Sequence, residues 1–166
     1  MSINAIEESL QAYLASVTSL ETALAGLTES HLDLNNEQSW TIRQIVHHIA
    51  DGDHLWKTAI LQAIGKPNHG FRLEWYFSRA QTAWADTWMY HSRPIGDAMA
   101  LLRASRKYLV ELLMMTPQAW DSCVRVRWPK QKDDICISVA EIVAMQTRHL
   151  HGHTADILAI RHGHHI

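Results

Sequence analysis

The chain has 166 residues, of which 47% are apolar and 19% are charged, proportions typical of a globular protein. We therefore expect a single domain over residues 1–166. The net charge of -2 gives no general attraction to nucleic acid or to an anionic membrane, so neither partner is expected. No apolar run reaches the roughly 18 residues that span a bilayer, so we expect neither a transmembrane helix nor a signal peptide.

The numbers of cysteines and histidines bear on the cellular compartment and on metal binding. Cys123 and Cys136 are the only two cysteines, too few for a disulfide framework, so a reducing cytoplasm is the expected compartment. The two cysteines flank a predicted turn, and a bridge between them stays open as an alternative. The chain also has 12 histidines. Histidine is the commonest metal ligand, although most of these twelve need no special role.

The first segment predicts a long amphipathic helix. Its apolar residues recur at alternating steps of four and three, which is the seam of a helical bundle; they are Ile6, Leu10, Tyr13, Val17, Leu20, Leu24 and Leu27. Asn4 and Glu7 have the spacing of a capping box at its start. Gly26 ends the segment.

A second long helix is predicted to begin at Thr41, which forms a capping box with Gln44. The apolar residues on one side of this helix form a stripe that is expected to face the interior; they are Ile42, Ile45, Ile49, Trp56, Ile60 and Ala63. The stripe is interrupted at Gly52 and Asp53, and a small and a polar residue there leave room for another group. Gly65 and Pro67 end the helix.

Residues 68–92 predict a shorter crossover helix within a long connection. Trp75, Trp84 and Trp88 lie in it at mixed spacing. They either wall a pocket over a bound metal or pack the crossover onto the bundle, and packing is favoured. A third long helix follows, with Pro94 in its first turn and Pro117 after its end.

The apolar period changes to two after the third helix. Val124 and Val126 alternate with arginines, and Ile135 and Ile137 flank Cys136, which predicts a small β-hairpin. Ser138 and Glu141 then form the capping box of a fourth long helix. The predicted fold is therefore all-α, a four-helix bundle with a long connection between its second and third helices and a short β-hairpin-like excursion before the fourth.

Three histidines are candidates for a metal site. His149 and His153 are four residues apart and so lie on one face of the fourth helix, whereas His151 is about 200° from His149 and faces outward. On the second helix, His48 borders the inward stripe and His47 lies about 100° further from its centre, on the flank. Three imidazoles with one open position form a catalytic type of zinc site. For the fourth-helix pair taken alone, a hydrogen-bonded core pair or a helix-end charge cluster is the favoured explanation.

Four charged residues lie near these histidines in sequence. Asp51 and Asp156 each follow a candidate ligand by about one turn and could accept a hydrogen bond from its far ring nitrogen, although surface capping is the favoured role of Asp51. Arg43 and Arg148 could bind substrate carboxylates. Solvated charge on a helix surface is the commoner role for such arginines.

Two short stretches resemble a known family. In "WTIRQIVHHIAD" a tryptophan, Trp40, precedes a histidine, His48, by eight residues, and "HLHGHTADI" contains a His-x-x-x-His motif. Both resemble signatures of the DinB/YfiT-like superfamily. The resemblance implies a four-helix bundle, often a homodimer, in which His48, His149 and His153 bind a divalent metal, commonly zinc or nickel.

The resemblance also implies an activity. Characterised branches of the superfamily include bacillithiol or mycothiol S-transferases and a mycothiol-dependent maleylpyruvate isomerase. We therefore expect a metal-dependent transferase or hydrolase that acts on a small molecule, with a low-molecular-weight thiol as a possible cofactor. The alternatives are a non-catalytic, stress-associated metal-binding dimer and a purely structural helical module.

Overall fold

Four long helices form the body of the structure, a computed structural model that describes residues 2–36 and 40–166. In chain order the elements are α1 (Ile3–Leu24), α2 (Glu29–Leu32), α3 (Ile42–Gly65), α4 (Glu74–Phe77), α5 (Gln81–Thr87), α6 (Gly96–Met115), a 3-10 turn (Pro117–Ala119), β1 (Cys123–Val126), β2 (Ile135–Ser138) and α7 (Val139–Gly163). The predicted all-α bundle with a hairpin before its last helix is confirmed. No described helix combines the length and apolar character needed to cross a membrane.

The four long helices do not follow a simple up-and-down order. α1 packs against α6 and α7, and α3 packs against the same two helices. The first two long helices, α1 and α3, are therefore diagonal across the bundle rather than neighbours. The chain therefore crosses the bundle diagonally twice, from α1 to α3 and from α6 to α7, whereas the long connection joins the neighbouring helices α3 and α6.

Side-chain caps start the helices that carry the candidate site. Thr41 Oγ1 accepts from the Gln44 backbone N–H at 3.2 Å, and the Gln44 side chain accepts from the Thr41 N–H at 2.9 Å. Ser138 and Glu141 form the same reciprocal pair, so both predicted capping boxes are confirmed. The predicted start of α1 is wrong: its cap is Ser2, whose hydroxyl accepts from the Ala5 N–H. Asn4 already lies in the first helical turn.

The long connection contains two short helices where one was predicted. The indole Nε1 of Trp84, in α5, donates to the Tyr76 carbonyl at 2.8 Å, in α4. A carbonyl near the end of α4, which has no partner within that helix, thereby receives a hydrogen bond from α5. This bond fixes the bend between the two helices. At the start of α6, Pro94 lies two residues before Gly96 rather than in the first turn. The helix ends at Met115, before Pro117, as predicted.

The hairpin is tied to the end of α3. Its strands are antiparallel, and its buried side chains are Val124, Val126 and Ile137. The Phe71 N–H donates to the Arg125 carbonyl at 2.8 Å, which holds the segment after α3 beside β1. Cys123 and Cys136 are bonded to each other as a disulfide, the alternative that the sequence left open. The hairpin therefore closes the end of the bundle near the long connection.

One buried arginine joins all four long helices. Arg106 of α6 donates to the Asp53 carboxylate of α3 at 2.7 and 3.0 Å. It also donates to the Tyr13 carbonyl and the Ser16 hydroxyl of α1, and to the Gln146 carbonyl of α7. These bonds use all five N–H groups of the guanidinium. Both charged side chains are 1% exposed, so the ion pair fixes the four helices relative to one another without contact with solvent.

Candidate metal centre

The structure brings the three predicted histidines together. One nitrogen from each of the rings of His48, His149 and His153 lies within 4.8 Å of the others. His48 comes from α3 and the other two from α7, so packing of these two helices creates the cluster. The Nε2 atoms of His48 and His149 are 3.1 Å apart. His151 is exposed, as predicted.

Neighbouring side chains orient two of the three rings. The Nδ1 atom of His153 is hydrogen-bonded to Asp156 Oδ2 at 3.0 Å. A proton held on Nδ1 leaves Nε2 as the free lone pair, so Asp156 sets the ring's tautomer, the role predicted for it. The indole of Trp40 lies edge-on to the ring of His48, with centroids 4.5 Å apart, and stacks on His153 at 6.3 Å.

The break in the α3 stripe has two separate causes. Gly52 faces α7, and a Cβ at this position would lie 3.8 Å from His149 Cε1, in ordinary contact. Alanine would therefore fit, but a larger side chain would need the space of the imidazole. Asp53 interrupts the stripe because it pairs with Arg106, outside the three-histidine cluster. The prediction that both breaks make room for a site holds for Gly52 and is wrong for Asp53.

Burial keeps two of the three histidines neutral. Desolvation, aided by the neighbouring rings of His149 and His153, lowers the pKa of His48 to about 3. Desolvation, the His153 ring and the Arg106 guanidinium lower the pKa of His149 to about 4. Both imidazoles are therefore unprotonated near neutral pH, and the neutral ring is the form that binds metal.

The same shifts predict an acid-sensitive fold. Both pKa values lie below the ordinary histidine value of 6.5, so protons bind the unfolded chain better. The stabilisation is complete above pH 6.5 and is lost as the pH falls towards about 4. In the metal-free protein we expect the free energy of unfolding to decrease across that window by up to about 1.4 kcal/mol per pH unit for each histidine. Urea titrations in half-unit pH steps measure this.

A matched pair of variants isolates the histidine contribution to this pH dependence. His149→Gln should flatten the pH dependence, because it removes one of the groups that binds protons only after unfolding. His151→Gln changes an exposed histidine on the same helix and should leave the slope unaltered. An unchanged slope in His149→Gln would contradict the assignment.

His47 is buried, contrary to the prediction of a flank position. It is 1% exposed, and its Nε2 donates to the Arg93 carbonyl at 3.1 Å. Its ring stacks on Tyr90 with centroids 5.4 Å apart. The Tyr90 hydroxyl in turn donates to Asp51 at 2.7 Å. His47 and Asp51 therefore anchor the end of the long connection to α3, and the prediction of a surface cap at Asp51 is wrong.

The two arginines near the site have different environments. Arg43 is buried and pairs with Glu29 at 2.9 Å and Asp33 at 2.8 Å. It binds the segment before α3 rather than solvent or a substrate, which corrects both predicted roles. Arg148 is exposed, in agreement with the solvated role.

A cavity of about 200 Å³ lies beside the cluster. It is lined on one side by His48, Gly52 and His149, and elsewhere by Trp56, Tyr76, Phe77, Trp128, Met145 and Gln146. The tryptophans singled out from the sequence do not line it. Trp84 and Trp88 stack on each other at 4.9 Å and pack against the core, the favoured alternative, while Trp75 is 48% exposed.

Sequence reasoning missed the cavity's polar residue. Gln146 precedes His149 by three residues, so the helical spacing that pairs the two histidines also places it on their face. Tyr76, Phe77 and Trp128 had no comparable signal, because their positions depend on how the long connection and the hairpin fold back.

The residues of the cluster fit a divalent metal. Three imidazoles converge, one of them is held by a carboxylate, and a cavity opens beside the other two, which burial keeps neutral. Histidine nitrogens suit zinc, nickel and other borderline metals. Three protein ligands would leave one position for a small molecule.

Comparisons with known proteins agree with this architecture. The family model described as "DinB superfamily" matches residues 12–157. The fold is similar to that of YfiT from Bacillus subtilis, described as "a probable metal-dependent hydrolase with an unusual four-helix bundle topology" (TM-score 0.83, 21% identity, 98% of this chain and 89% of that one).

A second similar structure is a mycothiol-dependent maleylpyruvate isomerase, at TM-score 0.67 and 15% identity. The alignment covers 92% of this chain but only 60% of that protein. No curated protein shows a significant match. Since the family model covers most of the sequence, the chain belongs to the DinB superfamily.

Proposed function

We propose that the chain is a metal-dependent enzyme that acts on a small molecule, as a hydrolase or a thiol-dependent S-transferase, with His48, His149 and His153 holding one zinc or nickel ion. The observation that carries the proposal is the cavity beside two of the three clustered imidazoles, those of His48 and His149. A non-catalytic binding protein has no need of space next to its ion. Bound there, the metal would lower the pKa of a water or thiol and polarise a carbonyl.

The chain's own residues would prepare this site. Asp156 holds His153 in the tautomer with a free Nε2. Burial keeps His48 and His149 unprotonated, so no proton needs to leave them before a metal binds. The ion pair of Arg106 and Asp53 lies in the next layer of the bundle and fixes α3 against α7. The aromatic wall of the cavity would exclude bulk water from a bound substrate.

Product analysis separates the two reaction types. We expect tag-free protein loaded with zinc or nickel to convert either activated esters without a thiol or an electrophile such as monobromobimane with one. A hydrolase yields the acid at a rate that does not depend on thiol. An S-transferase yields the thioether at a rate that rises with thiol concentration.

His149→Ala should lose this activity, and His151→Ala should keep it. Stoichiometric metal without turnover of either substrate class would favour the non-catalytic binding protein. Equal turnover in His149→Ala and the wild type would contradict the proposal. Homodimer formation stays a prediction, which sedimentation of the same samples would test.

A further inference from the structure

The cavity beside the histidines has an aromatic wall built from separate parts of the chain. Trp56 comes from α3, Phe77 from α4 and Trp128 from the turn after β1. The ring centroids of Trp56 and Trp128 are 5.7 Å apart, and those of Phe77 and Trp128 are 5.2 Å apart. A cavity of roughly 150 Å³ holds one benzene molecule. The cavity of about 200 Å³ found here therefore suits one aromatic ring with a small substituent.

One polar side chain in this wall has no use in the fold. Gln146 is 3% exposed, and its Oε1 atom is buried without a hydrogen-bond partner among the described residues. Its backbone carbonyl, not its side chain, accepts from Arg106. A buried acceptor without a partner is costly, and native proteins rarely keep one unless something else binds it. Since Gln146 also lines the cavity, a small movement of its side chain would let a molecule bound there supply the missing partner.

We propose that Gln146 determines substrate specificity: the cavity binds an aromatic ring that carries an O–H or N–H donor, and the donor bonds to Gln146 Oε1. The inference rests on the proposed function, because the reacting group of such a substrate would lie at the three histidines while its ring fills the cavity. The aromatic wall supplies the contact area, and Gln146 supplies the discrimination. A ring without a donor would leave the acceptor unpaired.

Three aromatic thiols test the proposal on the zinc-loaded protein. Thiophenol has no donor on its ring, 3-mercaptophenol adds a hydroxyl, and 3-methoxythiophenol adds an acceptor only. Isothermal titration calorimetry should show that the wild type binds the hydroxyl compound about tenfold more tightly than thiophenol, the effect of one buried hydrogen bond. The methoxy compound should gain nothing. Tighter binding of the methoxy compound would overturn the proposal, because the amide would then be presenting its N–H₂ group.

Variants at two adjacent positions identify the residue responsible. Gln146→Met keeps the length of the side chain and should reduce the tenfold preference to less than about twofold. Gln146→Glu keeps an acceptor and should retain the preference. Met145→Leu changes another lining residue without altering hydrogen bonding, and should also retain it. An undiminished preference in folded Gln146→Met would overturn the proposal.

A metal-free titration separates this proposal from the proposed function. Phenol and benzene are added to the protein without metal, and binding is followed by the fluorescence of the cavity tryptophans. Tighter binding of phenol in the wild type, lost in Gln146→Met, supports the donor site even if the zinc-loaded protein neither binds thiols nor turns over substrate. Equal binding of phenol and benzene by the wild type would overturn the donor site even if the metal site is functional.

Discussion

His149→Ala is expected to weaken zinc binding by more than about 100-fold, because loss of an orienting residue alone already costs about 10- to 100-fold. The tag-free wild type should bind one ion per chain. Its melting temperature should rise with zinc concentration, since a ligand of the folded state stabilises it by about 2.7 kcal/mol at 100 times its dissociation constant. The variant should show no such rise. Calorimetric titration and elemental analysis of dialysed protein measure the affinity and the stoichiometry.

Two further variants on α7 are expected to reduce zinc affinity less than His149→Ala does. Asp156→Asn keeps the three imidazoles but weakens the carboxylate bond to His153, so a loss of about 10- to 100-fold is expected. His151→Ala removes an exposed histidine two residues from His149 and should bind zinc like the wild type. If all three variants bind zinc equally, the ion is held elsewhere, for example by the histidines near residue 166, and the three-histidine assignment fails.

Arg106→Met should destabilise the fold by about 3–5 kcal/mol, because it leaves the Asp53 carboxylate buried without its partner. The loss reaches all four long helices, since Arg106 bonds to residues of α1, α3 and α7. Urea unfolding of the metal-free protein measures the change.

An exposed ion pair between α1 and α6 serves as the control, because Arg106 and Tyr13 join the same two helices in the interior. Arg103 on α6 pairs with Glu21 on α1, and its side chain is 64% exposed. Arg103→Met should therefore cost less than about 1 kcal/mol. The double variant Arg106→Met with Asp53→Leu should be more stable than Arg106→Met alone, because no uncompensated charge remains. A loss in Arg106→Met no larger than that in Arg103→Met would show that the buried pair does not anchor the bundle.

The sequence by itself determined the features that depend on short spacing. The capping boxes at Thr41 and Ser138 need only a hydroxyl and an acceptor three residues later, so the starts of α3 and α7 could be predicted. The period of two after Cys123 predicted the hairpin. The four-residue step from His149 to His153 placed both rings on one face, and the position of His48 beside the inward stripe indicated the third.

The tertiary structure alone decided which polar residues meet across the bundle. Asp53 and Gly52 look alike as interruptions of an apolar stripe, yet one binds Arg106, 53 residues away, and the other faces His149. His47 is buried because the connection near Arg93 folds over it. The cavity wall joins α3, α4 and the turn after β1. Helical spacing shows which side of a helix a residue occupies, but its partner depends on the packing of distant segments, which no local pattern encodes.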